Sequence, residues 1–219
     1  MGYGFRVEVW GDFALFTRPE TKVERVSYDV MTPSAARGLI EAVYWKPAIR
    51  YKIDRIHVLK PIRFTNVRRN EVSEKALAST MLSAMNGANK PVYINRAEAI
   101  QQRAAMVLQD VRYIIEAHFI MTDRAGPEDT PDKHYAILMR RLRQGKCYQQ
   151  PCFGVREFPA QFRLHEEELA ACGDASLTRD LGLMLYDMDF SNPRDIQPTF
   201  FRASLEQGVM TVADCEVFR

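Results

Sequence analysis

Polar and apolar positions alternate over residues 5–10, with Phe5, Val7 and Val9 interleaved by Arg6 and Glu8, and this period of two predicts a strand. A polar stretch over 17–27 reads as a loop, after which the period changes. Ala36, Leu39, Ile40 and Val43 recur at helical spacing and form one apolar stripe. Thr32 can cap that helix, Pro33 suits its first turn because it has no N–H to leave unpaired, and Pro47 ends it. Arg37, Glu41 and Tyr44 fall at i, i+4 and i+7 on the flank, with Trp45 and Lys46 just after. A phenol and a guanidinium on a rigid element make a workable platform for a polyanion.

Further along, Ile53, Ile56, Val58 and Ile62 lie in a β-branched and aromatic run over 51–64, which predicts one long strand or a hairpin. Leu77, Met81, Ala84 and Met85 predict a helix over 70–85, stopped by Asn86-Gly87. The stretch 95–109 has no clear period. Residues 110–121 read as a strand, and 124–132 as a turn-rich loop with Gly126, Pro127 and Pro131. Over 134–143, Tyr135, Leu138, Met139 and Leu142 form a helical stripe, with Arg140, Arg141 and Arg143 on the other side. Residues 152–164 look extended. Strand signals at 183–188 and 199–203 precede a hairpin at Glu206-Gln207-Gly208 that leads into 209–212. The order strand, helix, strand or hairpin, helix, strand predicts an α+β chain with a ferredoxin-like βαββαβ domain over 1–163, followed by a small antiparallel β domain over 164–219.

Composition narrows the class. The 219 residues are 47% hydrophobic, ample for a core, and 26% charged, which argues against disorder. No apolar run nears the roughly 20 residues that span a bilayer, and the first ten residues lack a signal-peptide core, so no membrane contact and a cytoplasmic location are expected. Net charge is +2 but unevenly placed: residues 1–69 hold 13 Lys/Arg against 7 Asp/Glu, and residues 157–219 hold 5 against 12. The basic part suits phosphate, with Arg able to bind it bidentately, and the acidic part is expected to face protein partners. Cys147 and Cys152 are spaced as in some zinc sites, with His165 downstream, but no second close pair completes a ligand set. Cys147, Cys152, Cys172 and Cys215 are therefore expected to be reduced, mostly buried thiols, and no metal or cofactor is expected. No phosphate-cradling Gly-rich loop and no G-x-S-x-G elbow occur. Asp187 and Asp189 read as surface groups.

Six segments resemble one family in its own order. They are Gly11-Asp12-Phe13-Ala14-Leu15-Phe16-Thr17, Glu41-Ala42-Val43-Tyr44-Trp45-Lys46-Pro47 and Lys60-Pro61-Ile62-Arg63-Phe64, then Asp110-Val111-Arg112-Tyr113 leading to Ala117-His118-Phe119. Lys133-His134-Tyr135-Ala136-Ile137-Leu138 and Gly154-Val155-Arg156-Glu157-Phe158 complete the set. The family is that of the CRISPR-associated fifth-type proteins, d variant, of subtype I-C systems. The resemblance implies an RRM-like fold and an endoribonuclease that cuts the repeat hairpins of precursor CRISPR RNA without a metal. It also implies a subunit of the type I-C interference complex, which holds guide RNA and finds double-stranded DNA. The alternative is a non-catalytic RNA-binding subunit that holds the 5′ end of the guide RNA and docks to partner subunits. A Tyr, a Lys and a His serve the family's active site. The Tyr maps onto Tyr44 and the His onto His118, while the Lys column holds Glu116.

Metal-free RNA cleavage needs the 2′-hydroxyl deprotonated, a cation near the developing charge and an acid for the leaving 5′-oxygen. Glu116 and His118, two apart on a strand, share a face roughly 7 Å apart, which suits His118 as the general acid. Tyr44 would then orient or activate the 2′-hydroxyl close to His118, with Lys46 or Arg37 supplying positive charge. Arg37, Lys46, Arg63, Arg68, Arg69, Arg140, Arg141 and Arg156 are expected to hold RNA. Tyr3, Trp10, Tyr44 and Trp45 could stack on unpaired bases.

Overall fold

The computed structural model describes residues 3–21, 23–89, 91–169 and 176–219. Helix α1 (Pro33–Val43) starts as its sequence dictates: Thr32 Oγ1 accepts from the Ala35 N–H at 3.2 Å, and Pro33 sits in the first turn. Its stripe of Ala36, Leu39, Ile40 and Val43 is buried. Helix α4 (Pro131–Gln144) uses the same device, with Thr130 capping and Gly145 closing the other end at φ 62°. The numbering follows chain order, with the short α2 (Ala78–Met85) and α3 (Arg96–Ala99) between them.

Strand β1 (Phe5–Ala14) lies antiparallel to a 22-residue strand, β5 (Ile100–Met121), which is the axis of a seven-stranded sheet. Strand β3 (Ile49–Val58) pairs on the other side of β5, and β6 (Gln161–Leu164) pairs on the outer side of β1. The order β6-β1-β5-β3 ends in β9 (Val209–Thr211), which returns from the C-terminal part. Strands β2 (Arg25–Val26) and β4 (Phe64–Val72) pair with the first half of β5. A second antiparallel sheet has the order β10-β8-β7, built from β7 (Arg179–Asp189), β8 (Gln197–Leu205) and β10 (Val217–Phe218). No helix among the described residues is long and apolar enough to cross a membrane.

Strand alternation gives the main sheet two unlike faces. Val7, Val9, Tyr113, Ile115, Ala117 and Phe119 join the core with the buried stripes of α1 and α4. The intervening residues Arg6, Glu8, Trp10, Arg112, Glu116 and His118 therefore point to the other face.

The sequence pattern and the structure part company between residues 64 and 109. The helix expected over 70–85 is only α2, and 64–72 is strand. Thr65, Val67 and Arg69 on one side and Asn66, Arg68 and Asn70 on the other leave β4 without a fully buried face, so its period carries no hydrophobic signal. What makes it a strand is pairing along its whole length, from Phe64↔Leu108 to Val72↔Ile100. The resulting arm carries α2, none of whose residues is buried. Over 152–164 only the last four residues are strand. The rest is a bend in which Gly154 has φ 83°, and a Cβ there would lie 1.9 Å from the Leu15 carbonyl oxygen.

Candidate active site

Tyr44 follows α1 in extended conformation, and its carbonyl accepts from the Tyr51 hydroxyl at 2.7 Å. This turns the phenol into the core, 4% exposed, where it meets His134 Nδ1 at 2.8 Å. His134, itself buried on α4, has Nε2 3.2 Å from Asp129 Oδ1. The ring thus bridges a phenol on one nitrogen and a carboxylate beside the other. Arg141 lies over the Tyr44 ring at 5.2 Å and donates to the Val43 carbonyl at 2.7 Å. Burial pushes the Tyr44 phenol above its ordinary pKa, with Arg141 opposing and Asp129 adding to the rise.

His118 lies on the opposite face. The expected meeting of Tyr44 and His118 is therefore not what the structure contains, because Ala117 and Phe119 take the core side of β5 and turn His118 away from it. The expected partnership of Glu116 with His118 is also corrected. Glu116 Oε1 contacts His57 Nε2 at 2.6 Å, and Asp54 takes its place, with both oxygens 3.0 Å from His118 Nδ1. Asp54 reaches His118 because the β3–β5 register slips between Ile53 and Arg55, a bulge that re-aims a side chain. His118 and Asp54 side chains are each 34% exposed, so this pair is open to substrate.

Lys52 stands opposite His118 in the same register. Directly opposite residues share a face with Cβ atoms about 5 Å apart. Lys52 is exposed and forms no ion pair among the described residues, so its ammonium is free for an anion. Sequence reasoning missed it. The alternation of Tyr51, Lys52 and Ile53 marks Lys52 as outward, but only the pairing register shows what it faces.

The residues expected to hold RNA divide into two groups. Lys46, Arg63, Arg68, Arg140 and Arg156 are exposed and form no ion pair among the described residues. The other three are engaged in the fold. Arg37 donates from Nε and Nη2 to Asp187 at 2.9 and 2.8 Å, and from Nη1 to Glu41 at 2.7 Å, locking α1 to β7. Arg69 pairs with Glu157 at 2.7 Å over the Phe158 ring, and Arg141 packs on Tyr44. Asp187 and Asp189 are likewise paired rather than free, Asp189 with Arg219 at 2.8 Å. Among the aromatics, Tyr3 stacks on Phe119 and donates to Asp132, whereas Trp45 is 51% exposed.

A second polar centre lies further along the open face. Glu8 is 1% exposed and accepts from Arg112 Nε and Arg163 Nε, both at 2.5 Å. Burial alone would push its carboxyl up, but the two guanidinium hydrogen bonds outweigh it and hold Glu8 below the usual carboxylate range. Arg163 also lies 6.0 Å from the Trp10 ring centroid. The thiols of Cys147, Cys152 and Cys215 are free and half-buried rather than fully buried, and Cys172 lies outside the described residues.

Comparison with known proteins agrees over nearly the whole chain. The model of a family described as "CRISPR-associated protein (Cas_Cas5)", in its Cas5d branch, matches residues 4–213. A "CRISPR pre-crRNA endoribonuclease Cas5d" of Mannheimia succiniciproducens is 50% identical over 217 residues, 97% of this chain and 96% of that protein. A protein of the same name from Thermus thermophilus is 42% identical over 198 residues, 90% and 79% of the two chains. Two solved structures share the fold at 24% identity: a CRISPR-associated protein with TM-score 0.70, covering 99% of this chain and 96% of that one, and SMU1763c of Streptococcus mutans with TM-score 0.69, covering 99% and 97%.

Proposed function

We propose, from the premise that this chain belongs to the Cas5d family of CRISPR-associated proteins, that it is an endoribonuclease cutting the repeat hairpins of precursor CRISPR RNA. The observation that carries this reading is the 50% identity, over almost the full length of both chains, to a protein named for that activity.

The reaction centre we propose is His118 with Asp54 behind it and Lys52 beside it. Asp54 accepts from Nδ1–H and fixes the ring, so Nε2 faces outward to protonate the 5′-oxygen as it leaves. Attack by the 2′-hydroxyl, whose proton passes to solvent, leaves a 2′,3′-cyclic phosphate and a 5′-hydroxyl. Lys52 supplies the cation at the phosphate that the family's Lys column, occupied by Glu116, does not. Tyr44 acts in this reading as a positioning residue, holding the end of α1 on α4 so that Trp45 and Lys46 stand at the surface. No step in the proposal uses a metal.

The finer architecture is part of the same proposal. Strand order β6-β1-β5-β3, with α1 and α4 on one face, supports a ferredoxin-like (RRM-like) unit over 1–163. The separate β10-β8-β7 sheet supports a small β domain over 164–219. Guide RNA, other subunits of a type I-C interference complex and double-stranded DNA are the partners we propose, in the cytoplasm.

The test is incubation of the protein with its own genome's repeat RNA in EDTA. Cleavage by the unmodified protein and its loss in His118→Ala are expected. Equal cleavage by both proteins would remove His118 from the chemistry, and no cleavage by either would overturn the enzyme reading.

A further inference from the structure

Away from His118, the open face of the sheet holds a small pocket of about 200 Å³. Its walls include Trp10 and Asp12 on β1, Asp110 and Arg112 on β5, Arg163 on β6, and Lys60 from the segment between β3 and β4. Arg112 and His118 are six residues apart on β5, roughly 20 Å, so the pocket is separate from the proposed reaction centre.

Buried Glu8 organises the cations of this pocket. One of its oxygens accepts from Arg112 Nε and also contacts Arg112 Nη2, and the other accepts from Arg163 Nε. One negative charge thus fixes two guanidiniums side by side, and both stay open to solvent, Arg112 41% and Arg163 53% exposed. Lys60 is held by Asp110 at 2.5 Å. Asp110 does this from left-handed conformation (φ 53°) within a strand, local strain of the kind that gathers at ligand sites. Asp12 is exposed and forms no ion pair among the described residues.

The pocket therefore offers three unlike surfaces: a two-guanidinium clamp with one net positive charge, an indole wall and a free carboxylate. Paired guanidiniums take a phosphate, and an indole takes a flat ring. A carboxylate accepts from N–H donors at the ring's edge. A phosphopeptide would use the clamp alone, whereas a nucleotide uses all three. Guanine turns two adjacent donors, N1–H and its amino group, toward one carboxylate, and uracil turns only one. The volume, below the roughly 300–1,000 Å³ of pockets for drug-sized ligands, suits one such unit.

We propose that this pocket binds a single nucleotide, guanine preferred, with its phosphate on Arg112 and Arg163, its base against Trp10 and its amino edge on Asp12. The inference goes beyond the function proposed above and does not depend on cleavage. A free nucleotide and one unit of an RNA chain present the same chemistry, and the experiment separates them.

The chain has two tryptophans, so Trp45→Phe leaves Trp10 alone to report a stacked base by its fluorescence. In that background GMP, AMP, CMP and UMP are titrated, with guanosine as the probe lacking phosphate. GMP is expected to quench Trp10 and to bind about tenfold more tightly than UMP or guanosine. Arg163→Gln should bring GMP to within about twofold of guanosine. Asp12→Asn, at an exposed and unpaired position, should bring GMP to within about twofold of UMP, with circular dichroism confirming that both variants fold. Repeat RNA is then added to the GMP-bound protein. Displacement of GMP supports the site and assigns RNA as its source, and continued binding supports it and assigns the free nucleotide. Quenching by none of the four nucleotides at millimolar concentration, or quenching that both substitutions leave unchanged, overturns the inference. Cleavage of repeat RNA is measured separately, so each reading can fail without the other.

Discussion

Lys52 faces His118 across β3 and β5 on the open side of the sheet, which puts an ammonium and an imidazole over the same patch of surface. A cation aimed at charge that develops only in the transition state raises rate rather than affinity. Lys52→Ala is therefore expected to slow single-turnover cleavage at saturating RNA by about 10²-fold while weakening RNA binding much less. Lys52→Arg should recover part of the rate. A change confined to the dissociation constant would make Lys52 a holding residue only.

Asp54 orients the His118 ring, and its loss should be felt through that ring. Asp54→Asn is expected to slow cleavage by about tenfold, less than the roughly 10²- to 10⁴-fold expected of His118→Ala. In the double variant the Asp54 effect should vanish. Additive losses in a double-mutant cycle would show that the two act independently.

The Tyr44 phenol is hydrogen-bonded inside the protein, so Tyr44→Phe leaves the buried His134 Nδ1 without its partner. The expected cost is about 1–3 kcal/mol of stability, seen in thermal or urea unfolding. Cleavage by the folded variant should stay within about threefold. A large loss of rate with stability unchanged would bring Tyr44 back into the chemistry.

Glu8 makes stability depend on acid. Its folded pKa lies below its unfolded one, so its contribution is complete above the unfolded value of about 4.3 and is lost as pH falls through the folded value. Glu8→Gln should cost about 2 kcal/mol at neutral pH, lowering the melting temperature by about 4–8 °C. It should also flatten the acid limb of the stability profile. An unchanged acid limb would show that other carboxylates set it.

Gly154 is held where no side chain fits, with the Leu15 carbonyl against it. Gly154→Ala combines a left-handed backbone with a clash against main chain. It is expected to cost at least about 3 kcal/mol or to prevent folding. Soluble protein with an unchanged melting temperature would contradict the geometry.

Legibility in the sequence followed burial. Helix α1 was readable by its cap, first-turn Pro and buried stripe, α4 by its stripe alone (its Thr130 cap and first-turn Pro131 read as loop), and β1 because one of its faces is core. Strand β4 and the first half of β5 were not, because pairing with each other defines them and both faces of β4 are polar or half-exposed. The site was legible one residue at a time. Tyr44 and His118 stand out by type, but their separation by the sheet depends on which side of β5 the core takes. The Asp54 bulge, which gives His118 its carboxylate, and the register that gives it Lys52 leave no trace in periodicity.

One strand, β5, carries the outer arm at its beginning and the imidazole near its end, with Asp110 in left-handed conformation (φ 53°) between the two. Adding or removing a single amino acid within it would exchange inside for outside downstream, sinking His118 among apolar groups and exposing Phe119. Evolution can thus lengthen or trim the arm freely only at its tip, between β4 and β5. Relatives whose arms differ in reach should differ there and keep the spacing from Ile100 to His118 constant.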